Sequence, residues 1–429
     1  MASRLASTTR SQALKTTLHT YLHRPFKPPK PTGAFKAWGG MARLHLNVKV
    51  LLATSAALSA SMGLAYPFFS EYIYALTGSA YVAGLAASVR SVTCVAAFIA
   101  GGRLADAVGR KKLIWMGTAL LGVAQLIYAA SSTAWELIAA AVFEGLSYFY
   151  FPAFNAMIMD STVGEDTVKA FTWAVVVSHL PYAATPTLGG LLRDLYGAYG
   201  LRLCLAASGL TTLAASMVRL AALTETLAVR AKVGLKPLIQ AYVWVVKDFK
   251  SLHRSVKRLV ALRATLLLTA INMFELFAVL YVTRYTGLLT YTEWGLIQAL
   301  ASLIFPAAIP ISSRLTKPFK AYPLLIALEA TTPLLFMLNL KLSVLLSIAL
   351  LNLAGALTYS IERSLVAQRV EPTMRGRAEA YMNISFYGGA ALGSMLGGLL
   401  YTLHPPSTLI AASALLALGA ITSPYIFKE

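Results

Sequence analysis

Residues 380–427 contain no Asp, Glu, Lys or Arg, a run of 48. A helix needs about 20 mostly apolar residues to cross a hydrocarbon layer of ~30 Å, so this run is too long for one crossing. His404-Pro405-Pro406 interrupts it. Proline has no amide proton to continue a helix and clashes with the preceding turn, so the run predicts two membrane helices joined by a tight turn. The rest of the chain has the same character: 57% of its 429 residues are apolar, 13% are charged, and the mean hydropathy is +0.65. Soluble domains have about 45–50% and about 25%, and no soluble interior of this size hides so much apolar surface. A disordered chain and a disulfide-stapled scaffold are excluded with the soluble enzyme, since Cys94 and Cys204 both lie in apolar runs. What remains is a polytopic membrane protein.

Five more charge-free stretches reach spanning length, at 50–70, 113–135, 170–192, 294–313 and 342–361. Another five do so around one interior charge: 80–101 with Arg90, 135–154 with Glu144, 201–222 with Arg219, 263–285 with Glu275 and 321–338 with Glu329. The expected fold is thus all-α and integral to the membrane, with twelve transmembrane helices, called spans 1 to 12 here, and both termini cytoplasmic. In that arrangement the inner segments hold 31 of the 37 Lys and Arg residues, while the outer loops hold Arg193, Arg202, Arg284 and Lys341. Positive loops stay inside, so the asymmetry tests the count independently of hydropathy. The net charge of +20 reads as a topology signal and an attraction to anionic headgroups, and not as a nucleic-acid surface.

The longest inner loop divides the chain. Between Glu225 and Arg263 it carries nine basic residues and interleaves Tyr242, Val243, Val245, Val246 and Phe249 with lysines, which predicts an amphipathic helix on the inner membrane face. The expected domains are a basic tail (1–46), a six-helix bundle (47–225), a basic linker (226–262) and a second six-helix bundle (263–429). The halves echo each other. Leu188-Gly189-Gly190-Leu191-Leu192 recurs 208 positions later as Leu396-Gly397-Gly398-Leu399-Leu400, and Arg103-Leu104 recurs 211 positions later as Arg314-Leu315. A shared offset at the same topological place indicates a duplicated unit. The tail has eight basic residues and no acid, the first acid of the chain being Glu71. It reads as a disordered tail or as residues ahead of a true start at Met41. A transit peptide is the third reading, and would move the expected location from the cell membrane to an organellar inner membrane.

Between spans 2 and 3 stands Gly102-Arg103-Leu104-Ala105-Asp106-Ala107-Val108-Gly109-Arg110-Lys111-Lys112. This resembles the signature loop of the major facilitator superfamily at Gly102, Leu104, Asp106, Gly109, Arg110 and Lys111, with Ala107 in place of the usual arginine. Pro186, Gly189 and Gly190 resemble the antiporter motif of span 5, with Thr185 replacing its first glycine. Glu144-Gly145 resembles the family's span-4 stretch, whose arginine position is Ala141 here. The resemblance implies two bundles that rock about a midplane cavity. Spans 1, 4, 7 and 10 would line that cavity, and 3, 6, 9 and 12 would stand outside it. It also implies that Asp106 faces the N-terminus of span 11 as a latch on the inner side. From the residues alone, Asp106 could pair with Arg110 or face a helix N-terminus, and Gly102 and Gly109 would permit tight turns and close helix approach.

Ionisable residues inside spans are costly and usually face the bundle interior with a partner. Arg90 is the expected partner of Glu144. Glu275 has no basic neighbour on its own helix at mid-depth, so it is the coupling or cation-binding candidate, against the alternative of a packing ion pair. Glu329, on span 9, is expected to be structural, and Arg219 to snorkel to headgroups. The other expected cavity residues are Tyr66, Phe69, Phe143, Tyr148, Asn272, Asn352 and Tyr359, against the alternative that such residues only pack. The function these readings imply is secondary transport of a small organic solute by alternating access, as proton-coupled efflux of amphiphilic or cationic compounds. A sugar or metabolite uniporter or symporter and a non-transporting membrane sensor stand as alternatives. The six His residues are scattered and no nucleotide loop is present, so neither an enzyme nor an ATP-driven pump is indicated. The expected partners are the bilayer, the solute and protons, with no cofactor, metal or nucleic acid and a monomeric chain.

Overall fold

A computed structural model describes residues 44–227, 234–312, 315, 318–371 and 374–427. Residues 1–43 of the basic tail, Met41 among them, and Arg314 lie outside the described residues. Every regular element is helical. In chain order they are α1 (Leu46–Gly63), α2 (Phe69–Thr77), α3 (Ala80–Val108), α4 (Arg110–Ala130), α5 (Ala134–Ser147), α6 (Phe151–Asp160), α7 (Glu165–His179), α8 (Pro186–Tyr196) and α9 (Ala198–Ala222). The second half has α10 (Leu235–Ser251), α11 (Arg254–Leu262), α12 (Leu268–Leu280), α13 (Tyr291–Ser312), α14 (Pro318–Phe336), α15 (Lys341–Arg369), α16 (Arg375–Leu403) and α17 (Pro405–Thr422). Among the described residues nine helical stretches are long and apolar enough to cross a membrane. The places of spans 5, 8 and 9 are held by α7–α8, α13 and α14.

Several ends and breaks follow from single residues. Thr133 and Glu136 close a reciprocal capping box at the start of α5. Pro405 opens α17, where its missing amide proton costs no hydrogen bond. Span 1 breaks between α1 and α2 at Tyr66-Pro67-Phe68, span 4 between α5 and α6 at Tyr148–Tyr150, and span 5 between α7 and α8 around Pro181 and Pro186. Span 7 is continuous from α11 into α12 through a π-helical turn, Arg263–Leu267. The predicted linker therefore gives up its last nine residues, α11, to the membrane helix.

Residues 44–429 form one contact unit, and glycines let its two halves meet closely. A methyl at Gly190 of α8 would overlap the Tyr291 carbonyl at the start of α13, and one at Gly295 of α13 would overlap the Pro186 carbonyl. Gly398 of α16 abuts Ala80 and Gly84 of α3 in the same manner. Within each half the paired glycine approaches its own bundle: Gly189 meets Leu64 after α1, and Gly397 meets Phe277 of α12. The repeated Leu-Gly-Gly-Leu-Leu segments thus make equivalent contacts in the two halves. Apolar tails offer helices no hydrophobic drive to associate, so close backbone packing of this kind holds membrane helices together.

Candidate translocation cavity

One face of the molecule is shut by a buried ion cluster. Glu71 on α2 is fully buried. Its Oε1 accepts hydrogen bonds from Arg193 Nε (3.1 Å) and Nη2 (2.6 Å) and from Arg284 Nη2 (2.7 Å), and its Oε2 accepts from Arg284 Nε (2.7 Å). Arg193 lies over the Tyr291 ring and Arg284 over the Tyr74 ring, at 4.4 and 5.1 Å. Beside them Asp194 accepts from the backbone N–H groups of Tyr291 and Thr292, capping α13, and Trp294 Nε1 donates to the Pro67 carbonyl at 3.2 Å. Every one of these contacts joins the first half to the second except the Arg193–Glu71 pair, which lies within the first. Arg193 and Arg284, which hydropathy assigned to loops, sit at helix ends inside this cluster.

Under that roof lie two adjoining cavities of about 240 and 420 Å³. The smaller is bounded by both halves: Tyr66, Phe69, Arg90 and Tyr182 on one side, and Asn272, Glu275, Trp294 and Asn352 on the other. The larger lies in the second half and is lined by Glu275, Glu329, Asn352, Tyr359 and Arg363 among others. Glu275 and Asn352 border both. Arg90 reaches Glu144 Oε1 at 3.5 Å and lies over the Phe69 ring at 5.0 Å. Tyr66 donates to the same carboxylate oxygen at 2.9 Å. Gln125 supports Tyr66, and Thr212 supports Gln125; neither residue was singled out in the sequence, where no charge marks them. Glu144 itself is buried behind Tyr66 and Arg90.

In the second half Arg263 pairs with Glu362, whose other oxygen accepts from Tyr322 at 2.7 Å, and Arg363 pairs with Glu379. Glu275 forms no hydrogen bond or ion pair among the described residues, and solvent reaches it through the cavity. Glu329 borders the larger cavity and accepts from Thr358 at 3.1 Å. The resemblance puts span 9 outside the cavity, whereas α14 packs against α15 with the Glu329 face turned toward it. Tyr148 stacks edge-on against Tyr387 at 5.7 Å. Phe143 is exposed on the outside of α5 and lines neither cavity. Arg219 does not snorkel. It is buried, with its guanidinium donating to Thr54, Ser55 and Thr118, so three hydroxyls between helices replace the headgroup contact.

At the opposite face the signature loop ends α3 and begins α4. Gly109 has φ +106°, and a methyl there would press on Glu225. That carboxylate accepts from the Arg110 and Lys111 backbone amides at 3.0 and 3.2 Å, an anion at a helix N-terminus. The Arg110 guanidinium pairs with Asp160, not with Asp106. Asp106 is exposed and pairs with none of the described residues. Gly102 has no neighbour where a methyl would sit; the close approach is made by Gly101, against Phe149 in the break of span 4. The amphipathic α10 bridges the halves here. Tyr242 donates to the Ala96 carbonyl and Arg103 lies over Trp244 on the α3 side, while Asp248 pairs with Arg377 at 3.1 Å on the α16 side.

A polytopic helical protein with a roofed cavity between two similar halves has the architecture of a membrane transporter. The sequence profile of the Major Facilitator Superfamily matches residues 51–337, and the chain belongs to that family. An uncharacterised MFS-type transporter of Methanocaldococcus jannaschii is 29% identical over 161 residues, 37% of this chain and 41% of that protein. The inner membrane transport protein YajR of Escherichia coli is 28% identical over 141 residues, 33% of this chain and 31% of that one. The matched segments thus span less than half of these relatives. Among solved structures, the fold is similar to that of the human organic anion transporter MFSD10 (TM-score 0.62, 17% identity, 88% of this chain and 98% of that one). It is also similar to the nucleoside transporter NupG (0.71, 12%, 90% and 100%) and to a POT family transporter crystallised with a thioalcohol-conjugated peptide (0.72, 13%, 91% and 100%).

Proposed function

We propose that this protein is a secondary transporter that moves a small organic cation or cationic amphiphile by alternating access, in exchange for protons. Twelve crossings, a cytoplasmic signature loop and cytoplasmic termini complete the reading. The observation that carries it is Glu275, a carboxylate with no partner among the described residues, bordering both cavities beneath a closed roof. An open carboxylate in a membrane-enclosed cavity attracts a cation, and an exchanger passes a proton the other way. Aromatic faces at Phe69, Tyr66 and Tyr359 suit a cation that also carries apolar surface. The test is uptake of tetraphenylphosphonium into proteoliposomes with and without an imposed pH gradient. Uptake that rises with the gradient supports the reading, and uptake indifferent to it removes proton exchange.

A second reading, facilitated or coupled movement of a neutral metabolite, is favoured by the amides of Asn272, Gln298 and Asn352 around the smaller cavity. It predicts competition by sugars or nucleosides in the same vesicles.

Gating at the inner face is assigned to Gly102, Leu104, Asp106, Gly109, Arg110 and Lys111 as a group. The exposure of Asp106 while the Glu71 face is shut fits a latch that is released in this state. Asp106→Asn is expected to lower turnover about tenfold while solute affinity changes less than threefold, since only the inward-closed state loses a contact. Equal losses in a binding assay and a transport assay would count against the latch.

A further inference from the structure

We propose that Glu329 holds the exchanged proton and that Glu275 alone touches the solute. The proposal rests on the proton-exchange reading and divides its labour between two carboxylates. Around the cavities each described cation already has its own acid: Arg90 has Glu144, Arg263 has Glu362, and Arg363 has Glu379. Two carboxylates, Glu275 and Glu329, are left without a cation in a space bounded by membrane helices. Both border the 420 Å³ cavity, so water in it can bring a proton to either.

Access separates them. Glu275 faces the seam between the halves and borders both cavities, where a bulky cation has room. Glu329 borders the larger cavity alone, is 1% exposed and is held by the Thr358 hydroxyl. A carboxylate that shows so little surface can take a proton from cavity water more readily than it can hold a bulky solute. The surroundings of Glu329 are consistent with that use. On its own helix, the Tyr322 hydroxyl is committed to Glu362. From α15 it meets Thr358. From span 7 come Arg263 at its π-helical turn, whose guanidinium is held by Glu362 and Ser385, and Glu275 in α12. Helix α17, packed on the far side, carries no charged residue and offers Ser413, which donates to the Ala330 carbonyl. Among the described residues the cation that faces Glu329, Arg263, is already paired with Glu362, and a proton completes the neutralisation of Glu329.

The cycle balances with one charge each way. A cation arriving at Glu275 raises the local positive potential, and the Glu329 carboxyl releases its proton to cavity water as a carboxylate. When the cation leaves, Glu329 takes a proton back from water. The exchange of one monovalent cation for one proton is electroneutral.

Full-length protein in detergent, with tetraphenylphosphonium as the probe, tests this. In weakly buffered solution wild type is expected to release close to one proton per cation bound. Glu329→Gln is expected to bind the cation within about threefold of wild type and to support counterflow, yet to release no proton and to lose gradient-driven uptake at least tenfold. Glu275→Gln is expected to lose binding at least tenfold. Proton release that persists in Glu329→Gln, or binding lost in it as fully as in Glu275→Gln, overturns the assignment. Glu329→Asp, expected to restore proton release, separates a proton role from mere packing. A wild type that neither binds nor moves the cation brings down the exchange reading itself, a result distinct from any failure of the Glu329 variant.

Discussion

Glu71→Gln is expected to shift the balance away from the roofed state by about a hundredfold or more. The wild-type carboxylate accepts four hydrogen bonds from two guanidinium groups and is fully buried. Arg193 belongs to the first half and Arg284 to the second, so the cluster exists only while the roof is closed. An amide in place of the carboxylate leaves two neighbouring cations with no anion between them. Breaking a buried pair in this way costs about 3–5 kcal/mol, which at about 1.4 kcal/mol per factor of ten is roughly two to three decades. Separation of the halves lets both arginines reach water, so the cost falls on the closed state alone. Spin labels at Tyr199→Cys and Leu340→Cys, both exposed and near the same face, should report a longer and broader distance in the variant. An unchanged distribution would show that the glycine contacts hold the roof without the cluster.

Gly190→Ala tests those contacts. The added methyl meets the Tyr291 carbonyl, which is backbone and cannot rotate away, and Asp194 one turn on ties the same two helices together. Forcing atoms into a packed contact typically costs about 1–3 kcal/mol, so the roofed population should fall by roughly tenfold. Gly388→Ala provides the control, since that position has no neighbour where the methyl would sit and lines neither cavity. The same label pair, with gradient-driven transport, reads the effect. Wild-type behaviour in Gly190→Ala together with a loss in Gly388→Ala would reverse the argument.

Much of the candidate site was legible because charge inside an apolar run is conspicuous. Arg90, Glu144 and Glu275 stand out by composition, and spans 1, 7 and 10 supplied Tyr66, Asn272, Asn352 and Tyr359 to the cavities, while span 4 supplied none of their lining. The errors share one cause: the sequence shows how deep a residue lies along its helix but not which way the helix is turned. Glu329 and Phe143 were misplaced for that reason, one facing inward and the other outward. Gln125 and Thr212 escaped notice because a neutral amide or hydroxyl looks the same whether it supports Tyr66 or only completes its own helix turn.

The residue order alone determined that this chain forms membrane helices, where several of them break, and that short segments repeat between its two halves. Those properties depend on hydrophobic length, on proline and on repeated segments, all of them local. Only the tertiary structure decided which charges meet. Glu71 lies 122 positions from Arg193 and 213 from Arg284, and their encounter depends on helix rotation and on glycine contacts between halves. A pairing set by long-range packing leaves no periodic trace in the chain.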